Sequence, residues 1–265
     1  MPKKVFTVRH ALKLKSVDKP KWKANRRYKE NFLDTPLAPI GFKNAKRAGL
    51  EFVNQHKKGI LDITKTNYVY SSPMTRCTDT AVEIIKVLKE KLNHELKLRI
   101  DTRIWEGAGL CKIIKFVGDK PTTIAPKYIV LNGKKYHTEL DSKLQYNYLA
   151  KKYKKYIDTT YKQHKDYGIE LPEVSAVRII KGVNSITKGE SHLALICGHA
   201  NLNYHIYNYF LQLENIEDTK AKFNDDIQGT NIIVGYEQLP KPKGNKKYKV
   251  IYKPNNRFNI SPYHK

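Results

Sequence analysis

The sequence is poor in cysteine, and its 265 residues contain only Cys77, Cys111 and Cys197. An odd number at unrelated spacings does not fit a disulfide framework or a cysteine zinc cluster, and it favours a reducing, cytoplasmic compartment. Long hydrophobic runs are also missing, because no apolar stretch approaches the roughly 18 to 20 residues that span a bilayer. The chain passes from Met1 directly into strand-like sequence, without the pattern of a secretory signal. We therefore expect a cytoplasmic protein with no membrane span.

Acidic residues are the second shortage. The chain has 25 Asp and Glu against 50 Lys and Arg, which gives a formal net charge of +25. Such an excess is typical of proteins with anionic partners, whether nucleic acid, an anionic membrane surface or a phosphorylated ligand. The alternative is compositional, because the sequence is rich in Lys, Asn, Tyr and Ile, as codon bias would produce. A hydrophobic fraction of 40% and an aromatic fraction of 11% indicate a folded protein rather than disorder.

The order of apolar and amphipathic segments predicts an α/β fold. Three short apolar runs are typical of strands: "KVFTVRH", "NYVYSS" and "LKLRID". Between them lie two segments with apolar residues at helical spacing, "FKNAKRAGLEFVNQHKK" and "TRCTDTAVEIIKVLKEKL". Later, "HLALICGH" and "ANLNYHIYNYFLQL" repeat the strand–helix order, and "TNIIVGYEQL" and "KYKVIYK" indicate two closing strands. This alternation predicts a three-layer α/β/α sandwich with a mostly parallel central sheet and helices on both faces.

Two regions interrupt the alternation. Residues 13–30 are basic without clear periodicity, and we expect a surface loop there. Residues 107–190 contain a glycine-bearing loop, a Tyr- and Lys-rich helical stretch over about 139–165, and a helix that starts near Leu171-Pro172. We interpret residues 107–190 as an inserted helical cap that forms the substrate region. Residues 1–265 are then a single domain.

Four polar residues, far apart in the sequence, follow the predicted strands or begin the helix after one. Arg9 and His10 end the first strand, Arg76 falls in the first turn after "SSPM", and His199 ends the strand "ALICG". In open α/β sheets, ligands bind outside the carboxyl ends of the strands. We therefore expect these two arginines and two histidines to converge on one crevice.

Two arginines and two histidines suit a phosphoryl group. Each guanidinium carries a permanent charge and a planar fork of donors that matches phosphate oxygens. The amino end of the helix after Pro73 adds backbone N–H donors. Because charge spreads over the equatorial oxygens during phosphoryl transfer, positioned cations supply most of what catalysis requires. A histidine kept neutral by neighbouring cations is a competent nucleophile, and this chemistry needs neither a cofactor nor a metal.

A proton donor for the leaving alcohol is also present. Glu106 follows the third predicted strand in "DTRIWEGAGL", and we expect its carboxyl group beside Trp105 to have a raised pKa, which suits a general acid. Taken singly, each candidate also has a structural interpretation. These are a core histidine for His10, surface cations for Arg9 and Arg76, a strand-end histidine for His199, and a loop carboxylate or helix cap for Glu106.

Taken together, these segments resemble the histidine phosphatase superfamily, which shares its fold with phosphoglycerate mutase. The match runs in order through "VRHA", "DTPLAPIGFKNAKRAG", "VYSSPMTRCTDTAVEII", "RIWEGAG" and "ICGHANL". Of these, "SSPMTRCTDTA" is a very specific motif. The subgroup that the chain resembles most is the phosphatase domain of the ubiquitin-associated and SH3-domain-containing proteins, with the related steroid-phosphate phosphatases.

The resemblance implies metal-independent hydrolysis of a phosphomonoester, either a phosphorylated small molecule or a phosphopeptide. It also implies a role for each candidate: His10 as the phosphorylated nucleophile, Arg9, Arg76 and His199 as the rest of the phosphate pocket, and Glu106 as the proton donor. No cofactor or metal is implied. Related phosphatase domains are often dimers, so a homodimer is also expected by analogy.

The chain departs from the family pattern at three places. Ala11 stands where the family usually has glycine, so the backbone beside the nucleophile must suit an L-residue. Leu12 replaces the glutamate that often follows. "AN" after His199 replaces the aspartate of the acid phosphatase and phytase branch, which gives Glu106 more weight as the donor.

Two other functions remain open at the level of sequence. A phosphoglycerate mutase would use the same pocket and return the phosphoryl group to another hydroxyl, although an "ERHYG"-like stretch is missing. An inactive relative would bind nucleic acid through its basic surface, for example through "KLQYNYLAKKYKKY". The ratio of transfer to hydrolysis separates the first from a phosphatase, and salt-dependent binding identifies the second.

Overall fold

The computed structural model describes residues 3–25, 34–106, 128–131, 134–137, 142–162, 172–190, 192–211, 233–243 and 246–252. The strands are β1 (Lys4–Arg9), β2 (Tyr68–Ser71), β3 (Lys97–Ile100), β4 (Tyr128–Leu131), β5 (Lys134–His137), β6 (Leu193–Gly198), β7 (Ile233–Lys243) and β8 (Lys246–Tyr252). The α-helices are α1 (Leu14–Val17), α2 (Lys19–Ala24), α3 (Pro39–Lys57), α4 (Thr75–Leu92), α5 (Ser142–Lys152), α6 (Pro172–Gly189) and α7 (Ala200–Leu211). Within these ranges, no helix is both long and apolar enough to cross a membrane.

The central sheet has six strands in the order β3-β2-β6-β1-β7-β8. Its first four strands are parallel, whereas β7 runs antiparallel to β1, and β8 antiparallel to β7. The strands β4 and β5 form a separate antiparallel pair. The predicted mostly parallel α/β sheet is therefore confirmed, with the two closing strands as its antiparallel edge.

Helices cover both faces of this sheet. Successive side chains on a strand point to opposite faces, so alternate residues of one strand enter different cores. Phe6 and Val8 of β1 lie in one core with residues of α3 and α4, whereas Val5 lies in the other with residues of α6 and α7. Each fully buried side chain of this size contributes about 1.5 to 3 kcal/mol through the hydrophobic effect. The three-layer arrangement follows from this alternation.

The prediction of a surface loop at residues 13–30 is wrong for residues 13–25, the part of this segment that the structure describes. Residues 14–17 and 19–24 are the short helices α1 and α2, and their side chains Leu14 and Trp22 are buried. Asp18 caps α2 by accepting a hydrogen bond from the Lys21 backbone N–H at 2.8 Å. Five lysines from residue 13 to residue 23 concealed these two apolar anchors, because the segment has no regular amphipathic period.

Within the region interpreted as a cap, α6 packs against the sheet. Its residues Ile179, Val183 and Ile186 share a core with Ile196 of β6. The predicted helical stretch over about 139–165 contains α5, and the predicted start of the next helix near Leu171-Pro172 matches the start of α6 at Pro172. The glycine-bearing loop after Glu106 and Cys111 lie outside the described residues.

Candidate active site

The two histidines meet because their strands are neighbours. β1 and β6 are parallel, with Arg9 opposite Gly198, and the backbone N–H of His10 donates to the Gly198 carbonyl at 2.8 Å. Both imidazoles are buried, their ring centroids lie 5.4 Å apart, and their planes meet at 71°. The predicted convergence of His10 and His199 at the carboxyl edge of the sheet is what this register produces.

Two glycines allow helices to approach the site closely. A Cβ at Gly198 would lie 2.9 Å from Leu202 Cδ1, so glycine lets Leu202 of α7 pack directly behind the end of β6. A Cβ at Gly182 would lie 2.7 Å from the Arg103 side chain, where α6 crosses the segment that leads to Glu106. Both positions therefore serve packing at the strand ends.

The environment of His10 favours the neutral imidazole. Its Nδ1 lies 2.8 Å from the carbonyl oxygen of Ala11. An Nδ1–H donating to this acceptor leaves the lone pair on Nε2. Burial, followed by the positive charges of Arg76, His199 and Arg9, lowers the pKa of His10 well below its ordinary range. His10 is therefore an uncharged base at neutral pH.

Ala11 fits its position without strain. Its backbone N–H donates to Thr80 Oγ1 at 3.0 Å, and Thr80 Oγ1 in turn donates to the Arg76 carbonyl at 2.8 Å. Among the non-glycine residues described, Asn93 alone has a positive φ, so Ala11 does not need the conformational freedom of glycine. The departure from the usual glycine is thus compatible with the backbone beside the nucleophile.

Arg76 lies in the first turn of α4, at the position predicted from "SSPMTR". The start of this helix is held by the buried carboxylate of Asp34, which accepts from the backbone N–H of Thr75 at 2.6 Å and from its hydroxyl at 2.5 Å. Arg76 Nη2 lies 2.6 Å from Glu106 Oε2 and 3.4 Å from His199 Nδ1. The structure therefore brings Arg76 together with both the second histidine and the candidate proton donor.

Glu106 faces both cations, and the prediction of a raised pKa for its carboxyl group is wrong. Its Oε2 lies 3.1 Å from His199 Nδ1 as well as 2.6 Å from Arg76. Burial alone would raise the pKa of Glu106, but the charges of His199 and Arg76 outweigh it and hold the pKa well below its usual range. Burial, the effect expected from contact with Trp105, is the largest single effect, but the two cations together exceed it.

The segment that carries Glu106 is held by a residue that the sequence did not single out. Arg178, on α6, donates to the Arg103 carbonyl at 2.6 Å and to the Trp105 carbonyl at 3.1 Å. These bonds fix the peptide group after Arg103 and the one that joins Trp105 to Glu106. A buried arginine in an amphipathic helix has no distinctive sequence pattern, so this support became visible only in the structure.

His199 is contacted on both ring nitrogens. Nδ1 faces Arg76 and Glu106, whereas Nε2 lies 2.8 Å from Ser72 Oγ and 3.4 Å from Cys77 Sγ. Burial lowers the pKa of His199, but the negative charges on Cys77 and Glu106 raise it, and the net shift is upward. His199 is therefore the charged, donating imidazole of the pair, and Ser72 is a contact that the sequence analysis missed.

Arg9 and Lys13 complete the positive charge at this edge of the sheet. Burial lowers the pKa of Arg9 and is opposed by the negative charge of Glu106. For Lys13, burial and then the charge of Arg76 lower the pKa to about 8. Lys13 falls in the segment predicted to be a surface loop, where nothing in the sequence distinguishes it from the neighbouring lysines. In the part of the chain that the structure describes, no group of three or more His, Cys, Asp or Glu side chains is placed to hold a metal ion.

Residues 7–122 match the family described as the histidine phosphatase superfamily (branch 1), which confirms the resemblance seen in the sequence. This family supports phosphatase or phosphoryl-transfer chemistry. No curated protein matches the chain. The assignment to the subgroup of ubiquitin-associated and SH3-domain-containing proteins and steroid-phosphate phosphatases stays a prediction.

The matches to solved structures cover nearly the whole chain. Ecdysone phosphate phosphatase from Bombix mori, in complex with tungstate, is 16% identical with a TM-score of 0.51, over 95% of this chain and 93% of its own. A mycobacterial glucosyl-3-phosphoglycerate phosphatase is 15% identical with a TM-score of 0.49, over 96% and 99%. A phosphoserine phosphatase mutant from Entamoeba histolytica, in complex with phosphoserine, is 13% identical with a TM-score of 0.45, over 96% and 97%. At 16% identity, the likeness to ecdysone phosphate phosphatase shows the fold alone.

Proposed function

Because residues 7–122 match the histidine phosphatase superfamily, we propose that the protein hydrolyses phosphomonoesters through a phosphohistidine intermediate on His10. The observation that carries the proposal is the pairing of a neutral histidine with a charged one at the end of adjacent strands. His10 has a lowered pKa and a lone pair on Nε2, whereas His199 has a raised pKa and donates. One is suited to attack phosphorus and the other to hold a phosphoryl oxygen.

In the first step, Arg9, Arg76 and His199 bind the phosphoryl oxygens, and His10 Nε2 attacks phosphorus opposite the leaving oxygen. The P–N bond forms as the P–O bond to the alcohol breaks, and Glu106 protonates the departing oxygen. In the second step, Glu106 accepts a proton from water, which attacks phosphorus and breaks the P–N bond. The two arginines neutralise the phosphoryl charge, so this route needs neither a metal nor a cofactor.

Glu106 must change partners during this cycle. Its carboxylate now contacts Arg76 and His199, the same donors that a phosphoryl dianion would use. Two anions on the same donors repel each other, so substrate binding favours the protonated carboxyl group. The proton that Glu106 takes up on substrate binding is then available to the leaving group. About a quarter of its side chain is exposed, at 27%, which leaves it a route to solvent protons.

We also propose that 1–265 is one domain with residues 107–190 as its substrate region. The described residues of this region contact α4, which carries Arg76, and the residues just before this helix. Gln145, on α5, donates to Asp34 at 2.9 Å and to the carbonyl of Pro73, three residues before Arg76, at 2.7 Å. A substrate region that is anchored at the amino end of α4 would lie beside the phosphate pocket.

The proposal is tested with p-nitrophenyl phosphate in excess EDTA, using the wild type and His10→Ala. We expect turnover by the wild type that persists in EDTA and is lost in the variant. Equal turnover by both proteins, or loss of turnover on chelation, would overturn the proposed mechanism. Adding a second alcohol as acceptor measures transfer against hydrolysis, and a predominance of transfer would favour the mutase alternative.

A further inference from the structure

The segment that leaves the active site is a fixed, positively charged surface. Lys13, three residues after His10, pairs with Leu37 in an isolated antiparallel bridge, and α1 and α2 follow it. Leu14 and Trp22 are buried, at 6% and 0% exposure, so both short helices are anchored to the body of the protein. The charges of Arg76 and Glu106 act on Lys13, so the segment begins beside the pocket, and the exposed side chains of α1 and α2 hold defined positions along it.

Four exposed lysines form what we call the basic ridge: Lys15, Lys19, Lys21 and Lys23. The one acidic residue among them, Asp18, is engaged by the Lys21 backbone N–H as the cap of α2. None of the four lysines forms an ion pair with another residue in the described ranges. A row of cations without an acidic partner in the described ranges, on the segment that leaves a phosphate pocket, attracts a ligand with more than one negative charge.

We propose that the basic ridge binds acidic side chains of a peptide whose phosphorylated residue enters the pocket. This inference rests on the proposed phosphatase function and specifies its substrate class. α2, which carries three of the four lysines, has six residues and extends about 9 Å at 1.5 Å per residue. An extended peptide covers that length in about three residues. The lysines of α2 are therefore expected to face about three consecutive peptide residues, among which the acidic ones lie.

The composition of the ridge favours a peptide over nucleic acid. Proteins that bind single strands stack bases on exposed aromatic side chains, in addition to contacting phosphates. Trp22 is the single aromatic residue between residues 13 and 25, and it is fully buried. The ridge therefore offers point charges without a stacking surface, which suits carboxylates.

The test is the binding of two labelled peptides, each with one phosphotyrosine followed by either four glutamates or four glutamines. Binding is measured by fluorescence anisotropy to the His10→Ala protein, so that the peptides are not consumed. The ridge variant adds Lys19→Glu, Lys21→Glu and Lys23→Glu. The control variant instead adds Lys46→Glu, Lys57→Glu and Lys58→Glu, which changes the net charge equally. These control lysines are exposed, and Lys57 and Lys58 precede Ile60, whose carbonyl contacts Lys4 at the opposite end of β1.

We expect the glutamate peptide to bind about tenfold more tightly than the glutamine peptide, with this preference lost in the ridge variant and retained in the control. Equal affinity for the two peptides, or an equal loss in both variants, would overturn the proposal. A labelled oligothymidine that binds more tightly than the glutamate peptide, and does so through the ridge, would also overturn it in favour of nucleic acid.

Turnover of p-nitrophenyl phosphate by proteins that retain His10 separates this inference from the function on which it rests. The ridge variant should retain this activity, because the small substrate does not reach α2. If the wild type lacks this activity but the peptide preference depends on the ridge, the proposed function fails and the binding surface stands. If the activity is present without a peptide preference, the proposed function stands and the ridge proposal fails.

Discussion

At the scale of single residues, Ser72 is the contact that fixes which nitrogen of His199 faces the pocket. Its hydroxyl lies 2.8 Å from Nε2, so the opposite nitrogen, Nδ1, points to Arg76 and Glu106. We expect Ser72→Ala to lower kcat for p-nitrophenyl phosphate by about tenfold to a hundredfold, with little change in KM, because the ring is no longer held for the transition state.

Ser71 provides the matched control for Ser72. It is equally buried, but its hydroxyl donates to the Ser72 carbonyl at 2.9 Å. Ser71→Ala should therefore leave kcat near the wild-type value, and Ser72→Thr should restore part of it. Equal losses in Ser71→Ala and Ser72→Ala, tracking only a loss of thermal stability, would contradict the role of Ser72 in positioning His199.

Glu106 leads to a prediction about the leaving group and pH. Glu106→Gln should reduce turnover of an alkyl phosphate by about 10² to 10³, and that of p-nitrophenyl phosphate much less, because p-nitrophenolate needs little protonation. The lowered pKa of Glu106 means that its protonated fraction falls steadily as pH rises above 5. Wild-type kcat/KM should therefore decrease from pH 5 to 8, and the Glu106→Gln profile should be flatter. A wild-type plateau up to about pH 6 would instead indicate the raised pKa that the sequence suggested.

At the scale of elements, the docking of α5 on α4 depends on a buried carboxylate. Asp79, 1% exposed, is 2.7 Å from Lys152 Nζ and also contacts the Tyr153 hydroxyl. Burial raises the pKa of Asp79, and the charge of Lys152 opposes this shift. Without that cation, the ionised form of Asp79 becomes still less favourable in the folded state.

Lys152→Met should therefore destabilise the protein more at pH 8 than at pH 5. At high pH, Asp79 must be charged without its partner, and this cost shrinks as pH falls toward about 3.9, the ordinary Asp pKa, below which Asp79 is protonated in both states. We expect the free energy of unfolding to fall by about 1 to 2 kcal/mol at pH 8. This is less than the value for a fully buried pair, because Lys152 is partly exposed and solvent screens its charge. Urea unfolding at both pH values measures this loss of stability. Lys151→Met, at an exposed neighbour, is the control, and a pH-independent loss in Lys152→Met would contradict this explanation.

The elements that the sequence predicted best have a regular period and clear ends. The segment Thr75–Leu92 is α4 as predicted, because its apolar stripe and the proline before it define a helix. The segment after His10 was mistaken for a loop, because two anchors, Leu14 and Trp22, are too few to form a stripe among lysines. Local periodicity thus determines long helices, whereas short ones depend on contacts that are distant in the sequence.

The candidate site likewise has features that the sequence predicts and features that only the folded structure shows. The convergence of His10, Arg76 and His199 was predictable, because strand ends in a parallel sheet meet at one edge. The ionisation of Glu106 and the contact of Ser72 were not, because both depend on which donors lie within about 3 Å in the folded chain. The homodimer, the cytoplasmic location and the absence of a metal or cofactor requirement stay predictions.

At the scale of the whole molecule, the formal net charge of +25 opposes compactness. Raising NaCl from about 10 to 150 mM shortens the distance over which charges repel to about 8 Å. We expect the urea midpoint to rise over this range. Chloride is the appropriate salt, because sulfate or phosphate would also bind the pocket. A midpoint that falls would show that attractive ion pairs outweigh the general repulsion.

The most direct test of the central claim is to trap the phosphoryl group on His10. The protein is mixed with p-nitrophenyl phosphate, quenched in alkali, digested and analysed by mass spectrometry, because phosphohistidine survives alkali and is lost in acid. We expect phosphate on the peptide that contains His10, absent from His10→Ala and accumulating in a variant with slower hydrolysis of the intermediate, such as Glu106→Gln. Turnover without any phosphorylated His10 peptide, or phosphate on a different residue, would contradict the proposed mechanism.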